Sequence, residues 1–118
     1  FLSNTKTTNK GVVHLAGLTK LKRLDLDNHT FDGNRQLIKR VQITDAGLVH
    51  LRGMVNLEML DLRGNDITDA GLAHLQVLPR LRQIALTHTR VTAAGIKSLK
   101  DAAPNVKYVS FDPESTKN

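Results

Sequence analysis

The sequence contains no cysteine, no tryptophan and three prolines, and only 3% of its residues are aromatic. Without cysteine there is neither a disulfide framework nor a thiolate metal site, which is compatible with a reducing compartment. With so few aromatics, the core has to be built from aliphatic side chains. No apolar run approaches the ~18 residues of a membrane-spanning helix. The first residues, Phe1 to Lys6, show no initiating methionine, no signal-peptide hydrophobic stretch and no lipidation pattern. Phe1 is therefore expected to lie inside a longer chain.

Chemistry-bearing motifs are missing as well. No phosphate-binding glycine loop, nucleophile elbow or zinc-protease helix occurs. One tyrosine and three phenylalanines are too few for a base-stacking platform. The expectation is a protein that is not an enzyme, with no catalytic, cofactor or metal residue assigned and nucleic acid disfavoured as a partner.

What is present is 118 residues, 40% hydrophobic and 24% charged, enough for one domain with one modest core. The net charge of +6 is uneven. Residues 1–20 carry Lys6, Lys10 and Lys20 and no acid, and residues 80–107 carry six cations against Asp101. The middle, 21–79, balances eight acids against seven bases. Basic ends of this kind leave polyanion binding as a second reading.

The chain repeats itself. The clearest unit runs from Leu57 to Leu75, with apolar positions at Leu57, Leu60, Leu62, Ile67, Leu72 and Leu75. Twenty-four residues on, Leu81, Ile84, Leu86, Val91, Ile96 and Leu99 take the same places. Leu21, Leu24 and Leu26 match the first half of the unit, and Ile43 to Leu51 nearly duplicates the second. A partial first unit has Gly11, His14 and Leu15 in register, and Val106, Val109 and Phe111 supply a closing strand.

Within a unit, Leu-x-x-Leu-x-Leu alternates with period two, as a half-buried strand does. The following Thr-Asp-Ala-Gly-Leu-x-His-Leu opens a helix. Thr44, Thr68 and Thr92 are placed as N-caps, and Asp45 and Asp69 put negative charge at the positive helix end. Gly47, Gly71 and Gly95 recur in the first helical turn, where glycine weakens a helix, so close backbone approach between stacked units is expected there. One unit cannot bury its apolar side alone, and stacking makes the core continuous.

The run Leu-x-x-Leu-x-Leu-x-x-Asn followed by Ile-Thr-Asp-Ala-Gly-Leu resembles leucine-rich repeats over residues 1–113, with 114–118 left as a polar tail. The Thr-Asp-Ala-Gly-Leu variety looks like repeats of planctomycete and related bacterial proteins, and is similar to ribonuclease-inhibitor-like and F-box-associated repeats. The latter commonly put cysteine where this chain has Thr5, Asn65 and Thr89, which counts against the substrate-recognition part of a ubiquitin-ligase adaptor. The resemblance implies an α/β right-handed solenoid with parallel strands on the concave face and helices on the convex face. It also implies a protein partner, and a module cut from a longer bacterial repeat protein.

Three features are candidates for binding. On the strands, residues between the core leucines point outward: Arg23, Asp25 and Asp27; Met59, Asp61 and Arg63; Gln83 and Thr87; and Tyr108. They form either a charged recognition strip or a solvated face of offsetting charges. Four strands spaced ~4.8 Å apart expose roughly 350 Å², against ~800 Å² per partner in a standard interface, so loops or further repeats have to contribute. An insertion is the second candidate, since Leu26 to Ile43 spans twelve positions more than Leu62 to Ile67. It is expected as a loop that either binds, through Phe31, Arg35, Lys39 and Arg40, or covers the core with Phe31, Leu37 and Ile38. Third, His14, His50 and His74 form a column, but helices ~8–10 Å apart hold side chains too far apart for zinc ligands ~2 Å from one ion. The column reads as helix-surface histidines.

Overall fold

A computed structural model describes residues 12, 17, 19–26, 30–31, 37–38 and 43–111. Four short strands, β1 (Arg23–Asp25), β4 (Met59–Asp61), β5 (Gln83–Leu86) and β6 (Tyr108–Phe111), form one parallel sheet in the order β1-β4-β5-β6. Between them lie α1 (Asp45–Leu48), continued by a 3-10 turn at Val49–Leu51, then α2 (Asp69–Leu75) and α3 (Ala93–Ala102). Each parallel crossover carries one of these helices, as parallel pairing requires. The register runs Leu24↔Leu60↔Ile84↔Val109, so the period read from the leucines is the pairing period of the sheet.

The core is aliphatic, as the scarcity of aromatics demands. Leu60, Leu62, Leu72 and Leu75 are buried, together with Leu48, Leu51, Ile67, Ile84, Leu86 and Leu99, in one cluster fed by strands and helices alike. Val12, from the partial first unit, belongs to that cluster and is fully buried. Leu2 and Leu15 lie outside the described residues.

Backbone pairing continues beyond the strands. Leu26 N–H donates to Asp61 O at 2.8 Å, Leu62 N–H to Ala85 O at 2.9 Å and Gly64 N–H to Thr87 O at 3.1 Å. Asp66 N–H donates to Ile43 O at 3.0 Å, and Arg90 N–H to Ile67 O at 2.8 Å. Successive units are thus hydrogen-bonded from strand to helix start. Asn65 closes the turn between them. Its side chain is buried, donates to Leu26 O (2.8 Å) and Leu62 O (3.1 Å), and accepts from Ile43 N–H at 3.0 Å. One bond thus stays within its own turn and two reach the preceding unit. Thr89, in the same place, donates its hydroxyl to Leu86 O at 2.6 Å, and Thr5 lies outside the described residues.

The helix starts hold the largest departure from expectation. Asp45 accepts from Thr68 N–H at 2.8 Å and from the Thr68 hydroxyl. Asp69 repeats this on Thr92, at 2.7 Å from N–H and 2.5 Å from the hydroxyl. The aspartates therefore reach across to the next unit instead of serving only their own helix dipole. The glycines answer them: a Cβ on Gly71 would collide with the Asp45 carboxylate and lie 3.0 Å from Leu48 Cδ1, and one on Gly95 would collide with Asp69. What approaches the glycine is a carboxylate, not a backbone. Thr68 and Thr92 also cap their own helices, accepting from Ala70 N–H (3.3 Å) and Gly95 N–H (3.2 Å), whereas Thr44 makes no such side-chain cap bond.

The insertion also departs from a plain loop. β2 (Thr30–Phe31) and β3 (Leu37–Ile38) pair antiparallel, Thr30↔Ile38 and Phe31↔Leu37, in a two-stranded sheet of their own.

Leu62→Ala is expected to cost about 2–5 kcal/mol through the cavity it leaves. Asn65→Leu keeps the volume but takes the side-chain partner from the Ile43 N–H and the Leu26 carbonyl, for a loss of about 2 kcal/mol or more. Urea unfolding checks both; an Asn65→Leu midpoint equal to that of the parent would contradict the bridging role.

Candidate functional site

The outward face of the parallel sheet is built by alternation, since every inward leucine turns its neighbours out. Strand pairing sets these neighbours in two rows: Arg23, Met59, Gln83 and Tyr108, and beside it Asp25, Asp61, Ala85 and Ser110. Neighbours in a row are one strand spacing apart, ~4.8 Å. Arg23 and Gln83 are exposed, Met59 and Asp25 half-buried, and Tyr108 is 61% exposed, the most open large hydrophobic side chain among the described residues. Thr87 follows β5 and is half-buried.

Asp61 is the exception. It was expected to point outward, and the register sets it beside Asp25, but Asp61 is 4% exposed. Arg63 lies over it: Arg63 Nη2 donates to Asp61 Oδ2 at 2.7 Å, Nε donates to both oxygens at 3.0 and 3.1 Å, and the Arg63 N–H adds a bond at 3.1 Å. The carboxylate is committed to this ion pair and is not offered to a ligand.

The other expected residues are less completely placed. Phe31 is in β2. Asp27, Arg35, Lys39 and Arg40 lie outside the described residues.

A further column was not anticipated. Arg82 N–H donates to Glu58 O (2.9 Å) and Lys107 N–H to Arg82 O (2.9 Å), which aligns Glu58, Arg82 and Lys107 just ahead of the first row. Behind them Asn56 donates to Thr19 O at 2.9 Å, Arg80 to Asn56 Oδ1 at 3.2 Å, and Asn105 to Leu78 O (3.1 Å) and Leu81 O (2.7 Å). The signal was present in the sequence, because Asn56, Arg80 and Asn105 each precede the first apolar residue of a unit. Arg23, Glu58, Met59, Arg82, Gln83 and Tyr108 enclose a shallow depression of about 310 Å³.

The helix layer offers less. His50 and His74 are half-buried on their helices, and His14 lies outside the described residues. Among the described residues no group of three metal-ligating side chains occurs, and no helix is long and apolar enough to cross a membrane.

Residues 54–75 match the family model of the leucine-rich repeat. The segment is similar to a leucine-rich repeat. The match takes in Leu57, Leu60, Leu62, Asn65, Ile67, Leu72 and Leu75, all buried to within 2%, so the repeat pattern and the core are the same residues. No curated protein matches the sequence. Leucine-rich repeats are commonly protein-interaction modules.

Replacing Arg63 with Met should leave the enclosed Asp61 without a counter-charge, at a cost of about 1–3 kcal/mol. An Arg63→Met unfolding midpoint matching the parent would contradict the enclosure of Asp61.

Proposed function

We propose that the chain is a non-catalytic protein-interaction module whose contact surface is the outward face of the parallel sheet. The observation that carries this is the row Arg23–Met59–Gln83–Tyr108. It sets cationic, apolar, amide and aromatic side chains at even spacing along a rigid backbone, over a shallow concavity. Interfaces draw their energy from such anchors, aromatic and arginine above all. In this reading the units form a right-handed solenoid, the sense that nearly all parallel crossovers take, with the sheet concave and the helices convex. Asp25, Arg63 and Thr87 form the flank of the contact.

The β2–β3 pair is a second contact region in this proposal. Phe31 is in its first strand, and in sequence Arg35 falls between the strands while Lys39 and Arg40 follow directly after. An apolar residue beside three cations suits an anchor with electrostatic steering around it.

Peptides selected from a random display library on the full chain test the surface. Met59→Arg combined with Gln83→Glu should weaken the selected binders by about tenfold or more. Ala73→Arg combined with Lys97→Glu, on exposed helix positions, should leave them unchanged. The opposite pattern would put binding on the helix layer and contradict the proposal.

A further inference from the structure

The sheet face is not evenly charged. Toward β1 and β4 it carries Arg23, Asp25 and the Asp61–Arg63 pair, acids and cations in balance. Toward β5 and β6 the same two rows hold Gln83, Ala85, Tyr108 and Ser110, with no acid. Around that end lie three adjoining depressions. The one described above shares Glu58 and Arg82 with a larger one of about 460 Å³, which adds Arg80, Asn105 and Lys107. A third, of about 310 Å³, joins Lys107 and Tyr108 to Lys100. Beside β5 and β6, Arg80, Arg82, Lys100 and Lys107 line the latter two depressions against one acid, Glu58, and exposed Tyr108 lines the one that holds Lys100 and Lys107.

These charges are not consumed within the fold. The ion pairs among the described residues are Arg63–Asp61, Arg90–Asp66 and Lys97–Asp101. None uses Arg80, Arg82, Lys100 or Lys107. Arg80 bonds the neutral Asn56, and Arg82 and Lys107 are exposed.

We propose that this end of the sheet face binds a short acidic segment of a partner protein, carboxylates against Arg82 and Lys107 and an apolar side chain against Tyr108. The inference rests on the reading of the sheet face as the contact surface and names the chemistry of what lies on it. Extent favours a peptide over a nucleic acid. The cationic end is about two strands wide, ~10 Å, which is short of the six to ten phosphate contacts that typically drive duplex binding. A longer phosphate backbone would run onto Asp25 and past Glu58. A peptide with two or three carboxylates fits within the patch, and an exposed tyrosine flanked by arginine is the usual composition of a binding anchor. Cations that are exposed and without an opposing charge also cost little desolvation to engage, and they steer an acidic partner inward.

The test is fluorescence anisotropy on the full chain with a labelled peptide, Glu-Leu-Glu-Glu-Leu-Glu. Its glutamine counterpart and a twelve-nucleotide oligothymidylate serve as comparison probes. The glutamate peptide should bind, the glutamine peptide about tenfold more weakly or worse, and the oligothymidylate no more tightly than the glutamate peptide. Arg82→Glu with Lys107→Glu should weaken the glutamate peptide at least about tenfold, and Tyr108→Ala about threefold or more, with the melting curves of these surface variants unchanged. Equal affinity for the two peptides, no binding of either, indifference to the charge reversal, or tighter binding of the oligothymidylate would each overturn the inference. If library-selected peptides are nevertheless lost in the Met59→Arg, Gln83→Glu protein, the sheet-face reading stands and only the acidic partner falls.

Discussion

The structure turns on a carboxylate that leaves its own unit. Asp45 and Asp69 each begin a helix, and each accepts hydrogen bonds from the backbone and hydroxyl of the threonine that caps the next one. Hydrogen bonds to a charged acceptor contribute about 1.5–3 kcal/mol each, so two per junction are comparable to the burial of a core leucine. They fill space that a side chain at Gly71 or Gly95 would otherwise occupy. One aspartate, one threonine and one glycine, drawn from two units, are therefore a single device. Ala93 stands where Asp45 and Asp69 stand in their helices, so α3 presents no carboxylate of this kind.

That device fixes helix spacing as backbone pairing fixes strand spacing, while Asn65 holds the turn between the two layers. With all three lines of attachment in the same register, the sheet face inherits a regular lattice of positions. Function enters through which residue types fill that lattice. Asp61 and Arg63 neutralise each other near β4, and the cations near β5 and β6 have no such partner among the described residues. The face therefore changes in charge across the strands, from β1 to β6.

Much of this was legible in the sequence because repetition multiplies weak signals. Leu60 alone says little, but Leu24, Leu60, Ile84 and Val109 at matching places predict both a strand and its partners, and the register agrees. What escaped were contacts between units. Asp45 beside a helix start has a sufficient local explanation in the helix dipole, and nothing nearby in sequence points to Thr68 or Gly71. The burial of Asp61 was hidden for a similar reason, since alternation turns it outward and the Arg63 side chain folds back onto it. The β2–β3 pair had a fainter cue, Gly33 and Asn34 between Thr30-Phe31 and Leu37-Ile38, but runs of two residues are too short for periodicity to register. The Arg82–Lys107 column was overlooked because it precedes the first strand residue and falls outside the strict alternation.

The coupling of Asp45 to Gly71 is the point on which the account stands, and a double-mutant cycle measures it directly. Gly→Ala within a helix ordinarily stabilises by up to about 1 kcal/mol. Here Gly71→Ala should instead destabilise by about 1–3 kcal/mol, because the new methyl drives the Asp45 carboxylate off Thr68. In an Asp45→Ala background the same Gly71→Ala substitution should be neutral or stabilising. Gly71→Ala having one and the same effect on urea unfolding in both backgrounds would contradict the account, and would mean that the carboxylate does not join the units.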